Sequence, residues 1–496
     1  MHKNNANSTS EKDKTKKQFS PEIEVFINDY VKKLNEGVAS IFAGAGLSIP
    51  AGYVNWSELM SEIAQDLGLD INQEKDLVSI AQYHVNENQN RSKLNQKILD
   101  EFTEDTDETE NHRIISRLPV SSIWTTNYDK LIEKSYLKEN KVVDVKYRNN
   151  QLLTTKPKRD LVVYKMHGDV NHPDEAILTK EQYEQYYQTH EPFLNALSGE
   201  LITKTFLFVG FSFTDPNLDY VLSRLNFRFS KNKRTHYCFV KRHELGDATN
   251  PDQATLDYNN RRQSLTINDL KRYGIKTLLV DSYSDITNIL EEIESRYKKR
   301  TIFISGSAET YEPHDKHNAI GFVHNLSKAV VENNFKIVNG FGWGIGSSVI
   351  NGALESIHNN PNKYSEDQLI LKPFPQFKTG SKELKELWAD YRQKMISQCG
   401  VSIFVFGNKM VDGKIVEANG VMDEFKIAHQ NGCICIPIGL TNYASRNIFD
   451  IISKEPDKYY DNPDIIMPIL EQLADEKTTF TQAVKIIKDL LKTLKK

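Results

Sequence analysis

Short runs of β-branched, aromatic and aliphatic residues that end on glycine recur along this chain, and they constrain its fold more than any other feature. Val38-Ala39-Ser40-Ile41-Phe42 runs almost directly into Gly44-Ala45-Gly46. At Thr301 the pattern restarts, Thr301-Ile302-Phe303-Ile304 leading to Ser305-Gly306-Ser307. Further apolar runs stand at residues 123–125, 161–165, 206–209, 236–240 and 276–280, then at 335–338, 401–406 and 433–438. Runs this short, with few polar interruptions, suit parallel strands covered on both faces. Helical stretches separate most of them, so the chain reads as α/β with parallel sheets. The restart near residue 300 divides it into two domains, residues 19–296 and 297–496. The stretch from Trp56 to about Arg117 is helical, acidic and free of strand runs, which predicts a helical insertion in the first domain.

Composition bounds the function. A chain of 496 residues exceeds one ordinary domain of ~100–200 residues. Hydrophobic residues at 39% suffice to bury real cores. Lys+Arg 63 against Asp+Glu 67 leaves a net charge of −4, so no bulk positive field draws nucleic acid, and none is expected as a partner. No apolar run approaches the ~18 residues of a membrane span. Residues 1–18 are Asn/Ser/Lys-rich and lack a signal-peptide core, so they read as a disordered leader. Ser20-Pro21 then starts an amphipathic helix on Ile23, Phe26, Ile27, Tyr30, Val31 and Leu34. A basic amphipathic helix at about 481–495 suits docking on the core or on another subunit. The four cysteines, Cys238, Cys399, Cys433 and Cys435, form no CxxC pair, so neither a metal site nor a disulfide framework is expected. A cytoplasmic, multidomain protein is the expectation.

The loop Gly44-Ala45-Gly46-Leu47-Ser48-Ile49-Pro50-Ala51-Gly52 follows a strand and is expected to open a helix, where backbone N–H groups meet a pyrophosphate. A structural glycine turn gives the same pattern. The acidic residue that dehydrogenases carry ~20 residues later is missing, which disfavours hydride transfer. Thr125-Thr126-Asn127-Tyr128-Asp129 follows a second strand and Lys165-Met166-His167-Gly168 a third. A lone Asn or His is ordinarily a satisfied structural group. Three such loops on one edge of a parallel sheet point to a ligand crevice.

These residues resemble the sirtuin family: Gly44-Ala45-Gly46-Leu47-Ser48 with Ala51-Gly52 and Trp56, Thr125-Thr126-Asn127-Tyr128-Asp129, His167-Gly168, and the later loop Phe208 to Asn217. The resemblance spans roughly residues 20–295. It implies NAD binding by Gly44, Ala45, Gly46, Ser48, Asp129, Gly210 and Ser212, with Asn127 and His167 as catalytic residues. Sirtuin deacetylases also carry a zinc module with two CxxC pairs, and this chain has no cysteine between His167 and Cys238, which speaks against protein deacylation. Thr126 stands where sirtuins usually have glutamine. What remains is cleavage of the glycosidic bond of NAD with water as nucleophile, NAD being substrate and not cofactor.

In the second half, Gly306-Ser307-Ala308-Glu309 and Asn339-Gly340-Phe341-Gly342-Trp343-Gly344-Ile345-Gly346 form another pair of phosphate-friendly loops after strands. This half resembles the SLOG superfamily. The PGGxGTxxE loop of its phosphoribohydrolases is reduced here to Gly420-Val421-Met422-Asp423-Glu424 after Glu417-Ala418-Asn419, which suits a sensor better than a second enzyme. Both domains are therefore expected to be Rossmann-like. The combination resembles the effectors of Thoeris antiphage defence. That resemblance implies a cyclic ADP-ribose isomer, made by a TIR-domain partner, held by Gly306, Ser307, Gly342, Gly344, Arg392, Lys409 and Glu424. It further implies that binding switches on an NAD+ glycohydrolase releasing nicotinamide and ADP-ribose, and that the chain assembles as a tetramer. An NAD-dependent deacylase and a non-catalytic nucleotide-sensing scaffold are the alternatives; acyl-lysine peptide and nicotinamide release discriminate them.

Overall fold

The computed structural model describes residues 18–229, 232–375, 377–378, 380–381 and 383–494; the leader expected over residues 1–18 falls outside it but for Gln18. The chain forms two compact units, residues 1–294 and 295–496. Among the described residues no helix is long and apolar enough to cross a membrane.

In the first unit α1 (Pro21–Asn35) starts where the Ser20 hydroxyl accepts the Ile23 N–H and Pro21 supplies a preset φ. Ile23, Phe26, Ile27, Tyr30, Val31 and Leu34 are all buried, while Val25 faces solvent. Then follow β1 (Ala39–Ala43), the helical lobe α2 (Trp56–Asp66), α3 (Leu77–Asn88), α4 (Ser92–Phe102) and α5 (Glu110–Arg117), β2 (Ser122–Thr125), α6 (Leu131–Lys138), β3 (Val143–Lys146) and β4 (Leu161–Lys165). The rest is α7 (Lys180–Thr189), α8 (Glu191–Thr203), β5 (Thr205–Val209), α9 (Pro216–Phe229), β6 (His236–Lys241), α10 (Gln253–Arg272), β7 (Ile275–Val280) and α11 (Tyr283–Lys298), within which the division falls. The seven strands are ordered β3-β4-β2-β1-β5-β6-β7 and every pairing is parallel. β1 and β5 are buried along their whole length, as helices on both faces require. β1 lies in the middle, with β2 on one flank and β5 on the other, so the topology reverses there. The lobe packs Leu59, Ile63, Ile80, Leu94 and Ile98 into one core with Tyr128, Leu131, Val170 and Leu178, which ties it to the loops after β2 and β4.

The second unit contains β8 (Thr301–Ser307), α12 (Lys316–Glu332), β9 (Lys336–Asn339), α13 (Gly346–Asn359), β10 (Leu369–Leu371), α14 (Leu384–Ile396), β11 (Val401–Phe406), the hairpin β12 (Asn408–Val411) and β13 (Lys414–Glu417), α15 (Asn419–Gln430), β14 (Ile434–Pro437), α16 (Tyr443–Lys454), α17 (Pro456–Tyr459), α18 (Pro463–Ala474) and α19 (Phe480–Leu494). Its five-stranded parallel sheet has the order β10-β9-β8-β11-β14. The apolar stripe of α19 (Ala483, Ile487, Leu490 and Leu491) joins the unit's own core, with Phe480 stacked on Phe322 of α12. Both units are Rossmann-like, as the sequence suggests.

Candidate active site and candidate signal site

A reversal in strand order leaves a crevice beyond the C-terminal ends of the strands. In the first unit the loops after β1, β2, β4 and β5 meet there. Gly44 N–H donates to Val209 O (3.0 Å) and Gly46 N–H to Gly210 O (2.9 Å), so the β1 and β5 loops lie directly on each other. Gly210 has φ +63°, and a Cβ there would stand 2.3 Å from Leu47 N. Close backbone packing therefore accounts for this glycine. The expectation that Gly44 to Gly52 opens an α-helix is corrected. The loop makes two 3-10 turns, Ala45–Leu47 and Ile49–Ala51, and α2 starts only at Trp56. Pro50 has no N–H to continue an α-helix and Gly52 turns left-handed at φ +103°. Ala45 is half-buried and Gly46 exposed in this turn.

Asn127 spends both amide hydrogens locally: Nδ2 donates to Gly44 O (3.1 Å) and to Ser48 Oγ (3.2 Å). Its own N–H donates to Thr125 Oγ1 at 3.0 Å. Oδ1 is thus the group this side chain can offer a ligand, as an acceptor. Asp129 Oδ1 takes the Leu131 N–H at 2.9 Å to start α6, while Oδ2 is buried without a hydrogen-bond partner among the described residues.

His167 is 1% exposed. Its Nδ1 lies 3.3 Å from the Tyr183 hydroxyl of α7, and its Nε2 3.1 Å from Asp215 Oδ2. The second approach is close but lacks the alignment of a hydrogen bond. Burial would raise the Asp215 carboxyl. The His167 ring and the N–H groups of Leu218 and Asn217 outweigh it, so the carboxyl sits below its ordinary value. Burial, with Asp215 nearby, pushes the Tyr183 phenol well up, so it stays a neutral donor. Asn217 Nδ2 is also buried and unpartnered among the described residues. A buried polar atom left unpaired costs ~1–3 kcal/mol. Two such atoms, on Asp129 after β2 and on Asn217 at the start of α9 after β5, stand beside the crevice, which suits a polar ligand. Ser48, Tyr53, Trp56, Phe102, Asn127 and Asp129 border a cavity of about 30 Å³. Ser212 is exposed, its hydroxyl 2.8 Å from Thr214 Oγ1.

Sequence reasoning missed Asp215, Tyr183 and Asn217 as site residues. Asp215-Pro216 carries a visible helix-start signal, and Asp215 Oδ1 does take the Leu218 N–H at 2.9 Å. Nothing local shows that its other oxygen meets His167.

In the second unit the loops after β8, β9 and β11 interlock. Gly344 has φ +76°, and a Cβ there would stand 1.9 Å from Ala308 O. Ala308 N–H donates to Trp343 O at 2.8 Å. Gly306 and Gly342 belong to the same contact, since a Cβ on Gly342 would stand 2.0 Å from Gly306 O. The Ser307 hydroxyl donates to Asn408 O at 2.9 Å. Lys409 follows Asn408 on β12, opposite Val416, half-buried at the base of the hairpin. Arg392 of α14 is no solvated helix arginine. Its side chain is 16% exposed, its Nε lies 3.5 Å from Glu424 Oε1, and its guanidinium sits 5.1 Å from the centre of the Phe374 ring. The Ser305 hydroxyl donates to Glu424 Oε2 at 2.6 Å. Burial raises the Glu424 carboxyl against the opposing pull of Ser305 and Arg392. Arg392 and Glu424 are thus brought together, with Gly306 and Ser307 following Ser305 on β8. Among the described residues no three His, Cys, Asp or Glu side chains gather as a metal-binding set.

Comparison with known proteins finds a separate match in each half of the chain. A model of the SIR2-like domain matches residues 121–266, and one of the Sir2- and TIR-associating SLOG family matches residues 285–494. The chain is 48% identical over 481 residues to the NAD(+) hydrolase ThsA of Bacillus cereus (strain MSX-D12), covering 96% of this chain and 99% of that protein. It is 43% identical to the NAD(+) hydrolase ThsA of Acinetobacter baumannii (strain 532279), covering 96% and 100%. Its identity to the NAD(+) hydrolase ThsA of Cytobacillus dafuensis is also 43%, covering 94% and 96%.

Proposed function

The chain belongs to the NAD(+) hydrolase ThsA family, and from that premise we propose that its first unit hydrolyses the nicotinamide–ribose bond of NAD+ on a signal read by the second. NAD+ is the substrate. The nicotinamide ring nitrogen is cationic and leaves readily, so the protein has to hold the ribose, shield an oxocarbenium-like centre and place water. Asn127 Oδ1 accepts from that water or from a ribose hydroxyl. His167 takes on Nδ1 the proton that the attacking water loses, displacing the Tyr183 hydroxyl, and Asp215, held ionised beside Nε2, stabilises the imidazolium that results. The products are nicotinamide and ADP-ribose.

The activating ligand in this reading is a cyclic ADP-ribose isomer from a TIR-domain protein, a link supported by the family description of the second unit. Arg392 offers a planar cationic fork to its pyrophosphate, and Glu424 accepts its ribose hydroxyls. The role is antiphage defence in the cytoplasm by NAD+ depletion, carried out by a tetramer.

The observation that carries the reading is the convergence of Asn127 and the His167–Asp215 pair on one sheet edge. Chromatography of NAD+ incubated with activated wild type, Asn127→Ala and His167→Ala tests it. Each variant should fold and lose nicotinamide release by ~10²-fold or more. Full activity in folded His167→Ala removes the histidine from the reaction.

A further inference from the structure

Lys165 is the last residue of β4, and its side chain is fully buried at 0% exposure. A lysine is almost never buried unless it is paired. Its Nζ faces four acceptors: Asp129 O at 2.6 Å, Tyr128 O at 3.0 Å, Asp169 Oδ2 at 2.6 Å and Glu133 Oε1 at 3.2 Å. Two of these are backbone carbonyls of the loop that presents Asn127. A third belongs to the turn two residues after His167, where Asp169 Oδ1 also accepts the Asn171 N–H at 3.0 Å. β2 and β4 are neighbours, with Thr125 opposite Lys165, so the ammonium sits where the two loops leave the sheet.

We propose that Lys165 is a positioning residue for NAD+ cleavage, a buried ammonium that fixes the Asn127 loop against the His167 turn. Being wholly enclosed, it touches no substrate. A counter-ion for Glu133 and Asp169 alone would have no need of two neutral carbonyls from one catalytic loop. Burial opposes the charge on Lys165, but Glu133, Asp169 and Asp129 outweigh it and keep the amine protonated. The grip matters because a displacement of ~1 Å between reacting groups costs ~10²-fold in rate.

This inference rests on the NAD+ reading, so its test has one arm that needs no turnover. The proteins are full-length wild type, Glu133→Gln, and the double variant Lys165→Met/Asp169→Asn. The double variant removes one cation and one anion together, and the remaining Glu133 carboxyl is already raised by burial and takes a proton readily. Glu133→Gln leaves the grip on both loops intact and should keep kcat within ~2-fold. The double variant should lose ~10²-fold in kcat with KM for NAD+ changed by less than ~3-fold. Hydrogen exchange should quicken at residues 126–130 and 168–171 and not in β1 or β5. If the double variant does not fold, Lys165→Gln is measured in the same way, with the same direction expected. Wild-type kcat in a folded variant, or exchange that is unchanged or raised throughout the unit, overturns the assignment. A wild type that never releases nicotinamide refutes the NAD+ reading instead, and the exchange arm still decides whether Lys165 ties the loops.

Discussion

Acid should weaken the first unit through His236, by an amount the structure sets. The ring opens β6, is 4% exposed, and accepts the Phe206 N–H on Nδ1 at 3.1 Å. Burial, with Arg234 adding to it, lowers its pKa to about 3. In the unfolded chain it titrates near ~6.5, so over the interval between the two values the unfolded chain binds a proton that the fold refuses. Stability rises with pH wherever that holds. The contribution is therefore complete above ~6.5 and drains away as pH falls toward 3. Between pH 7 and pH 5 the loss is about 2 kcal/mol, roughly 30-fold in the unfolding equilibrium. His236→Asn keeps an acceptor for Phe206 N–H and does not titrate. Hydrogen-exchange protection of β5 and β6, compared between the two full-length proteins at each pH, cancels the intrinsic pH dependence of exchange. The protection ratio of wild type to variant should fall ~30-fold from pH 7 to pH 5. A ratio that does not change with pH means the ring is protonated or solvated within the fold, and the argument fails.

Three further outcomes are expected. Arg392→Ala and Glu424→Ala should abolish signal-stimulated NAD+ cleavage while the protein stays folded, and calorimetry with the cyclic nucleotide should show lost affinity; unchanged affinity removes this pair from the signal site. Dialysis against EDTA should leave nicotinamide release unchanged, whereas stoichiometric zinc lost together with activity would overturn the hydrolytic scheme. Gly344→Ala should destabilise the second unit by more than ~1 kcal/mol, because its Cβ meets the Ala308 carbonyl in a left-handed backbone; an unchanged melting temperature contradicts the interlock.

Much of the fold was legible because buried parallel strands are written as apolar runs: residues 39–43, 161–165 and 401–406 are buried almost throughout. β3 escaped because it alternates with charge. Asp144 and Lys146 pair with each other at 2.9 Å, and Arg159 reaches Asp144 at 3.0 Å, contacts that no local pattern displays. β10 is three residues long and only partly buried. The hairpin β12–β13 did leave a signal, Asp412-Gly413, both residues at positive φ as a tight hairpin turn requires. In the first site, Asn127 and His167 were visible as polar residues just past strand ends. Asp215 and Tyr183 reach His167 from other elements, and their roles exist only once the chain has folded. The glycine loops were visible too, but their first duty is backbone packing of one loop on another, which a glycine pattern alone does not distinguish from phosphate binding.

The central claim is that this chain hydrolyses NAD+ under control of its second unit. Silencing of that kind requires the signal to prefer the active state, and a shift from 1:99 to 99:1 takes ~10⁴-fold preference. The direct measurement is chromatography of NAD+ incubated with the purified full-length protein, with and without the cyclic ADP-ribose product of a TIR-domain enzyme. Nicotinamide and ADP-ribose should appear in equal amounts when the product is present, and little of either without it. NAD+ left intact under both conditions, or cleaved equally fast in both, contradicts the claim.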